Sequence, residues 1–198
     1  MSEKPVIGCL ALQGAVEPHR AHIEAAGAEF HAVKTPAQFA GIDAFILPGG
    51  ESTTMLKLIE RFELWNVLAE ELANKPVWGI CAGCILSAKD VHYSSQRIED
   101  QNGKTQKSFG LLPITVERNG YGRQVDSHHA IINDYEVSLI RAPIIRDAGN
   151  CEIIASHEGD PVWVKKGNKM ATTFHPELTL DFPSPMHQAF VDLVKANA

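Results

Sequence analysis

Short apolar runs separated by segments of helical periodicity constrain this chain more than any other feature. Residues 6–12 read Val-Ile-Gly-Cys-Leu-Ala-Leu, residues 44–47 Ala-Phe-Ile-Leu, and residues 76–80 Pro-Val-Trp-Gly-Ile. A strand wetted on one face alternates apolar with polar side chains. A nearly continuous apolar run suits a strand covered on both faces of a parallel sheet. Between the runs lie helix signals. One helical segment follows Gln13-Gly14 and ends near Ala26, with Gly27 placed to close it. Thr35-Pro36 opens a short helix, Thr as N-cap and Pro in the first turn. Ser52-Thr53-Thr54 is expected to cap a helix whose Met55, Leu58, Ile59 and Phe62 recur at helical spacing. A further helix covers roughly residues 64–73, and residues 29–33 form a weaker strand.

Strands alternating with helices imply right-handed βαβ units and a mostly parallel sheet with helices on both faces, an α/β class fold. The polar stretch 92–108 reads as a surface loop. After it, strands are expected at 114–117, 137–140, 152–156, 162–165 and 170–174, with a hairpin around Lys166-Gly167-Asn168. A last amphipathic helix carries Met186, Phe190, Leu193 and Val194 on one face. No internal repeat or low-complexity linker interrupts the 198 residues, so a single domain over 1–198 is expected.

The charge excludes some functions. A formal net charge of -6 with no basic run offers no electrostatic case for nucleic-acid binding. No apolar span is long enough for a membrane helix, and Met1-Ser2-Glu3-Lys4-Pro5 lacks the layout of a signal peptide, so a cytoplasmic protein is expected. The four cysteines, Cys9, Cys81, Cys84 and Cys151, are too few and scattered for a disulfide scaffold.

One of those cysteines sits where chemistry is done. In Gly79-Ile80-Cys81-Ala82-Gly83 a thiol ends a buried strand, with glycines two residues away on each side, the form of a nucleophile elbow. Small neighbours let the backbone turn tightly and pass close to adjacent strands. A helix starting at Ala82 aims free N–H groups at the sulfur, which favours thiolate. The Ala82 N–H is also a candidate oxyanion donor. Cys9, inside an apolar run, reads instead as a core residue.

A cysteine nucleophile needs a base, and the base needs an orienter. His19 and His22 are expected on a helix surface and His92 in the polar loop. His175-Pro176-Glu177 differs. In extended backbone, residues two apart point the same way, so Glu177 can hold His175 in one tautomer. The plain alternative is a solvated His beside a solvated Glu; the elbow argues against it, because a Cys–His–carboxylate set needs each member. Pro48-Gly49-Gly50-Glu51-Ser52 follows a buried strand, and Gly50 is the candidate second oxyanion donor. Arg118 and Arg141 each follow a predicted strand. A guanidinium there can bind an α-carboxylate through two parallel hydrogen bonds, or simply form a surface ion pair.

Together these residues resemble the glutaminase subunits of two-component pyridoxal 5′-phosphate synthases, within the class I glutamine amidotransferases. The resemblance covers nearly the whole chain. It runs through Leu10-Ala11-Leu12-Gln13-Gly14-Ala15, Leu47-Pro48-Gly49-Gly50-Glu51-Ser52-Thr53-Thr54 and the cysteine elbow. It continues through Glu117-Arg118-Asn119, Gly122-Arg123-Gln124, Ile140-Arg141-Ala142-Pro143 and Phe174-His175-Pro176-Glu177-Leu178-Thr179.

The resemblance implies a flavodoxin-like three-layer α/β/α sandwich with a mostly parallel central sheet. It implies hydrolysis of L-glutamine to glutamate and ammonia, with Cys81 as nucleophile, His175 as base and acid, and Glu177 as orienter. Gly50, Glu51, Ser52, Arg118, Ile140 and Arg141 fall where such proteins bind glutamine. No cofactor or metal is implied. The implied partner is a (β/α)-barrel pyridoxal 5′-phosphate synthase subunit, in a large hetero-oligomer to which ammonia is delivered. The sequence departs from the family pattern at Ile80, at Cys84, in the long 92–108 segment and at Ser127-His128-His129. Two rivals follow from the residues alone: Cys81-Ala82-Gly83-Cys84 has the C-x-x-C spacing of a dithiol oxidoreductase, and an idle interaction subunit could use the same fold.

Overall fold

A computed structural model of the chain describes residues 4–93, 105–118 and 128–197. The first half alternates as expected: β1 (Val6–Leu10), α1 (His19–Ala25), β2 (Glu29–Val33), α2 (Pro36–Phe39), β3 (Ala44–Leu47), α3 (Ser52–Arg61), α4 (Trp65–Asn74), β4 (Val77–Ile80) and α5 (Ala82–Ser87). The second half is mostly strand: β5 (Ala88–Tyr93), β6 (Leu112–Arg118), β7 (His128–Ile132), β8 (Tyr135–Leu139), β9 (Ile144–Asp147), β10 (Glu152–His157), β11 (Asp160–Lys166) and β12 (Lys169–Thr172). A 3-10 turn, Pro176–Leu178, and helix α6 (Pro185–Lys195) complete it.

Seven strands form the central sheet in the order β10-β11-β12-β4-β3-β1-β2. From β12 to β2 every pairing is parallel, and the β10–β11–β12 edge is antiparallel. Side chains of each central strand divide between two cores, as period-2 geometry requires. Ile7, Ile46, Trp78 and Ile80 face one core with Ile23 of α1 and Phe190 of α6. Leu10, Phe45, Leu47 and Val77 face the other with Met55, Ile59, Leu68 and Leu72 of α3 and α4. These two cores make the three-layer α/β/α sandwich, and they explain why the strand runs are apolar on both sides. A third cluster joins Cys84 and Ile85 of α5 to Ile114, Val116, Ile145 and Val164, under a small β5-β6-β9 sheet.

Several local expectations shift. α1 begins only at His19, and Gly27 closes it with φ +86°, the left-handed value a glycine takes freely. The N-cap of α3 is Glu51, not the Ser-Thr-Thr run: its carboxylate accepts from the backbone N–H of Thr53 at 3.1 Å and of Thr54 at 2.8 Å. Part of the expected 92–108 loop is the end of β5, where Ala88 and Val91 turn inward. Residues 94–104 of that segment, and the Gly122-Arg123-Gln124 and Ser127 positions, lie outside the described residues. So do Met1, Ser2 and Glu3 of the N-terminal segment read for a signal peptide. Among the described residues, no helix is long and apolar enough to cross a membrane.

His19 and His22 are not on a surface. Both are 0% exposed, because α6 packs across α1 and covers them with His187.

Candidate active site

The elbow forms where the parallel strands end. β4 stops at Ile80, Cys81 takes φ 49° and ψ -100°, and α5 starts at Ala82. A non-glycine residue in that region carries a strain of about 1–3 kcal/mol, held by its surroundings. Cys81 N–H donates to Thr172 O at 2.8 Å on one flank, and its carbonyl accepts from Ile85 N–H at 3.1 Å on the other. The flanking glycines are required by contact. A Cβ at Gly83 would lie 1.9 Å from the Leu47 carbonyl oxygen, and one at Gly79 would lie 2.4 Å from the Gly83 carbonyl oxygen.

β12 leads into His175, whose backbone bridges to β8: His175 N–H donates to Ser138 O at 2.8 Å. The His175 imidazole donates from Nδ1 to Glu177 Oε1 at 2.7 Å, leaving Nε2 for the Cys81 thiol. Glu177 is 2% exposed. Burial alone would depress the His175 pKa; its contacts with Cys81 and Glu177 outweigh burial and raise it well above the ordinary imidazole range. For Glu177, burial raises the pKa, but the hydrogen bond to His175 and the nearby histidines overcome it and lower it. The three side chains expected to act together, Cys81, His175 and Glu177, are thus brought together, with the pKa of His175 raised.

Cys81, His175, Gly50, Glu51, Ser52, Arg118, Ile140 and Arg141 all line one cavity of about 470 Å³. That volume suits a small metabolite. Glu177 lies behind His175. Ala82, the first residue of α5, directly follows Cys81 and is buried. Cys81 Sγ approaches Ile140 O at 4.0 Å. Arg141 follows β8 with φ 45°.

Arg118 forms its ion pair on the cavity wall. Arg118 Nη2 donates to Glu51 Oε1 at 2.9 Å, Nη1 donates to Thr53 Oγ1 at 2.9 Å and to Tyr93 Oη at 3.2 Å, and Nη1 also donates to Gln106 Oε1. Burial pushes the Glu51 pKa up, but hydrogen bonds from Thr53 and Thr54 and the Arg118 charge bring it down to about 2. The cavity wall therefore presents a fixed pair of opposite charges.

Three contributors were missed by sequence reasoning. Gln13 Oε1 accepts the Glu51 N–H at 2.8 Å, and Ala15 N–H donates to Gly49 O at 3.0 Å, so the turn after β1 holds the turn after β3. Gln106 ties Arg118 to Ser52, whose hydroxyl donates to it at 3.2 Å. Leu178 forms part of the rim and is 42% exposed. A polar residue directly after the apolar run 6–12 was the available signal for Gln13; Gln106 gave none, because it reaches the site only through the fold. Cys84 is 0% exposed and sits in the third apolar cluster, where burial drives its thiol pKa strongly upward. That disfavours the dithiol reading, which needs a reachable thiolate.

Residues 9–196 match the model of the SNO glutamine amidotransferase family. The chain is 42% identical to a Thermotoga sp. (strain RQ2) protein named pyridoxal 5′-phosphate synthase subunit PdxT, over 96% of this chain and 99% of that one. It is 42% identical to the protein of the same name from Bacillus licheniformis, over 96% of this chain and 94% of the relative. A crystal structure described as a glutamine amidotransferase superposes with a TM-score of 0.81 at 33% identity, covering 96% of this chain and 98% of the other.

Proposed function

The chain belongs to the SNO glutamine amidotransferase family, and from that premise we propose that it hydrolyses L-glutamine at Cys81 and supplies the ammonia to a pyridoxal 5′-phosphate synthase subunit. The observation that carries the reading is a strained, cavity-facing Cys81 beside an imidazole that is itself hydrogen-bonded at 2.7 Å to a buried carboxylate.

The glutamine side-chain amide lies over the sulfur, and the thiolate attacks its carbon. The oxyanion is stabilised by the backbone N–H groups of Gly50 and Ala82. His175, which holds its proton, gives it to the departing nitrogen, and ammonia leaves. Water activated by His175 then hydrolyses the thioester to glutamate. Glu177 keeps the imidazole in one tautomer throughout. The charged wall fits the rest of the substrate, Arg118 and Arg141 toward the α-carboxylate and Glu51 with the Ile140 carbonyl toward the α-ammonium.

Free ammonia would be protonated and diluted in water, so direct transfer to the synthase makes chemical sense. That subunit is a (β/α) barrel in this reading, and the two assemble as a hetero-oligomer.

The test is glutamate release by the purified chain, alone and with the synthase subunit added, for wild type and Cys81→Ala. Stimulation by the partner and loss in the variant support the reading. Glutamine turnover surviving in folded Cys81→Ala would rule out the nucleophile, and a rate indifferent to the partner would rule out the pathway.

A further inference from the structure

Behind the triad lies a buried cluster that the proposed chemistry leaves unused. His19 and His187 are 0% exposed, and their rings are joined by His19 Nδ1 and His187 Nε2 at 2.8 Å. His187 Nδ1 lies 2.6 Å from Ser184 Oγ, which also accepts the His187 backbone N–H at 3.2 Å. Trp78 meets His19 and His187 edge-on, and His22 stacks on His187 at 4.2 Å. At the far end two polar atoms find no hydrogen-bond partner among the described residues: His19 Nε2 and Glu177 Oε2. Each group lies within electrostatic reach of the other.

A chain of neutral rings has two proton registers. In one, Ser184 O–H donates to His187 Nδ1, His187 Nε2–H donates to His19 Nδ1, and His19 carries its proton on Nε2. In the other, every proton is reversed, and His19 Nε2 presents a lone pair. The second register makes Ser184 Oγ accept twice, so its own hydrogen is left without an acceptor. It also turns a lone pair toward an anion. The first leaves no stranded hydroxyl and turns an N–H dipole toward the carboxylate, where a buried charge most needs one. The rings are kept neutral by burial, which lowers the His19 pKa to about 4 and pushes that of His187 well below the ordinary imidazole value.

We propose that the Ser184–His187–His19 chain is ordered in the first register and directs the Nε2–H of His19 toward the free oxygen of Glu177, which makes His19 a positioning residue for the triad. The proposal rests on the Cys81–His175–Glu177 reading above. Titratable groups facing His19 are Glu177 and His175 from the segment after β12, His22 from α1 and His187 from α6; Cys9 on β1 also faces Glu177.

The direct test is the imidazole ¹⁵N spectrum of the unmodified chain at pH 7. A protonated Nε2 and bare Nδ1 at His19 are expected; the opposite tautomer overturns the proposal. The functional test measures glutamate release, with the synthase subunit present, by His19→Phe and His19→Gln. Without the donor Glu177 protonates more easily, so in His19→Phe the acid limb of the kcat profile moves up by about one pH unit. In the same variant kcat falls about tenfold while KM changes little. His19→Gln, whose side-chain N–H stands in for Nε2–H, recovers most of both. A wild-type pH profile in folded His19→Phe would defeat the proposal. An inactive wild-type chain, by contrast, would defeat the triad reading first.

Discussion

At Gly49 the His175 ring lies against backbone with no room for a methyl group. A Cβ there would stand 2.2 Å from His175 Cε1. Gly49→Ala must therefore displace the imidazole from its present place, and a displacement near 1 Å at a reacting group costs about 10²-fold. We expect kcat for glutamate release to fall by about that factor while the unfolding midpoint stays close to wild type. Activity within twofold of wild type would show that the loop yields and the ring does not. The three side chains proposed as the triad were legible in the sequence as neighbours because each is a residue type with few other reasons to stand at a strand end. His19 was not. Its burial depends on which face of α1 is covered by α6, from more than 160 residues away along the chain, and the polar neighbours Arg20 and Glu24 make that helix read as solvated.

Helix α3 shows how one side chain serves both an element and the cavity. Glu51 caps the helix through Thr53 and Thr54 and also pairs with Arg118. Glu51→Ala should cost about 1 kcal/mol in stability, the usual loss for an N-cap, and raise KM for glutamine by freeing Arg118. Urea unfolding and a substrate titration check the two effects separately; a change in neither would mean the carboxylate is replaced by water at no loss. The Glu51 pKa is depressed, so its contribution is present above about pH 4.5 and is lost as pH falls toward about 2. Glu51→Ala should therefore flatten that part of the stability profile.

Strands β1, β3 and β4 were legible as elements because both of their faces are buried, which forces a continuous apolar run. The β5 strand was not, since Lys89, Asp90 and His92 face outward and only Ala88 and Val91 are buried. Its strand character comes from pairing with β6, a contact across the sequence that no local pattern encodes.

For the molecule as a whole, the buried histidines predict an acid weakness. His22 accepts the Ser184 N–H at Nδ1, 3.0 Å away, and so is neutral with its proton on Nε2, facing Thr179 O at 3.1 Å. His19, His22 and His187 all have lowered pKa values, burial being the main cause. In the unfolded chain each takes up a proton near pH 6.5. Below that pH the unfolded state binds more protons than the folded one, so stability falls as pH drops from about 6.5 toward 4, by up to about 1.4 kcal/mol per pH unit for each of His19 and His187, with His22 acting in the same direction. His175, with its raised pKa, opposes this loss near pH 6.5, where the unfolded ring is still taking up its proton, and adds no slope once both states are protonated at lower pH. Urea midpoints at pH 7 and pH 4.5 should differ clearly, and equal midpoints would contradict a neutral cluster.

The backbone at Cys81 has one more consequence. Its φ of 49° suits glycine better than any residue with a side chain. Cys81→Gly should therefore resist denaturant better than Cys81→Ala, though under the proposed mechanism neither releases ammonia. At this position the most durable molecule and the working molecule are different sequences. A selection that rewards only heat resistance would drift toward glycine and erase the enzyme without disturbing the fold.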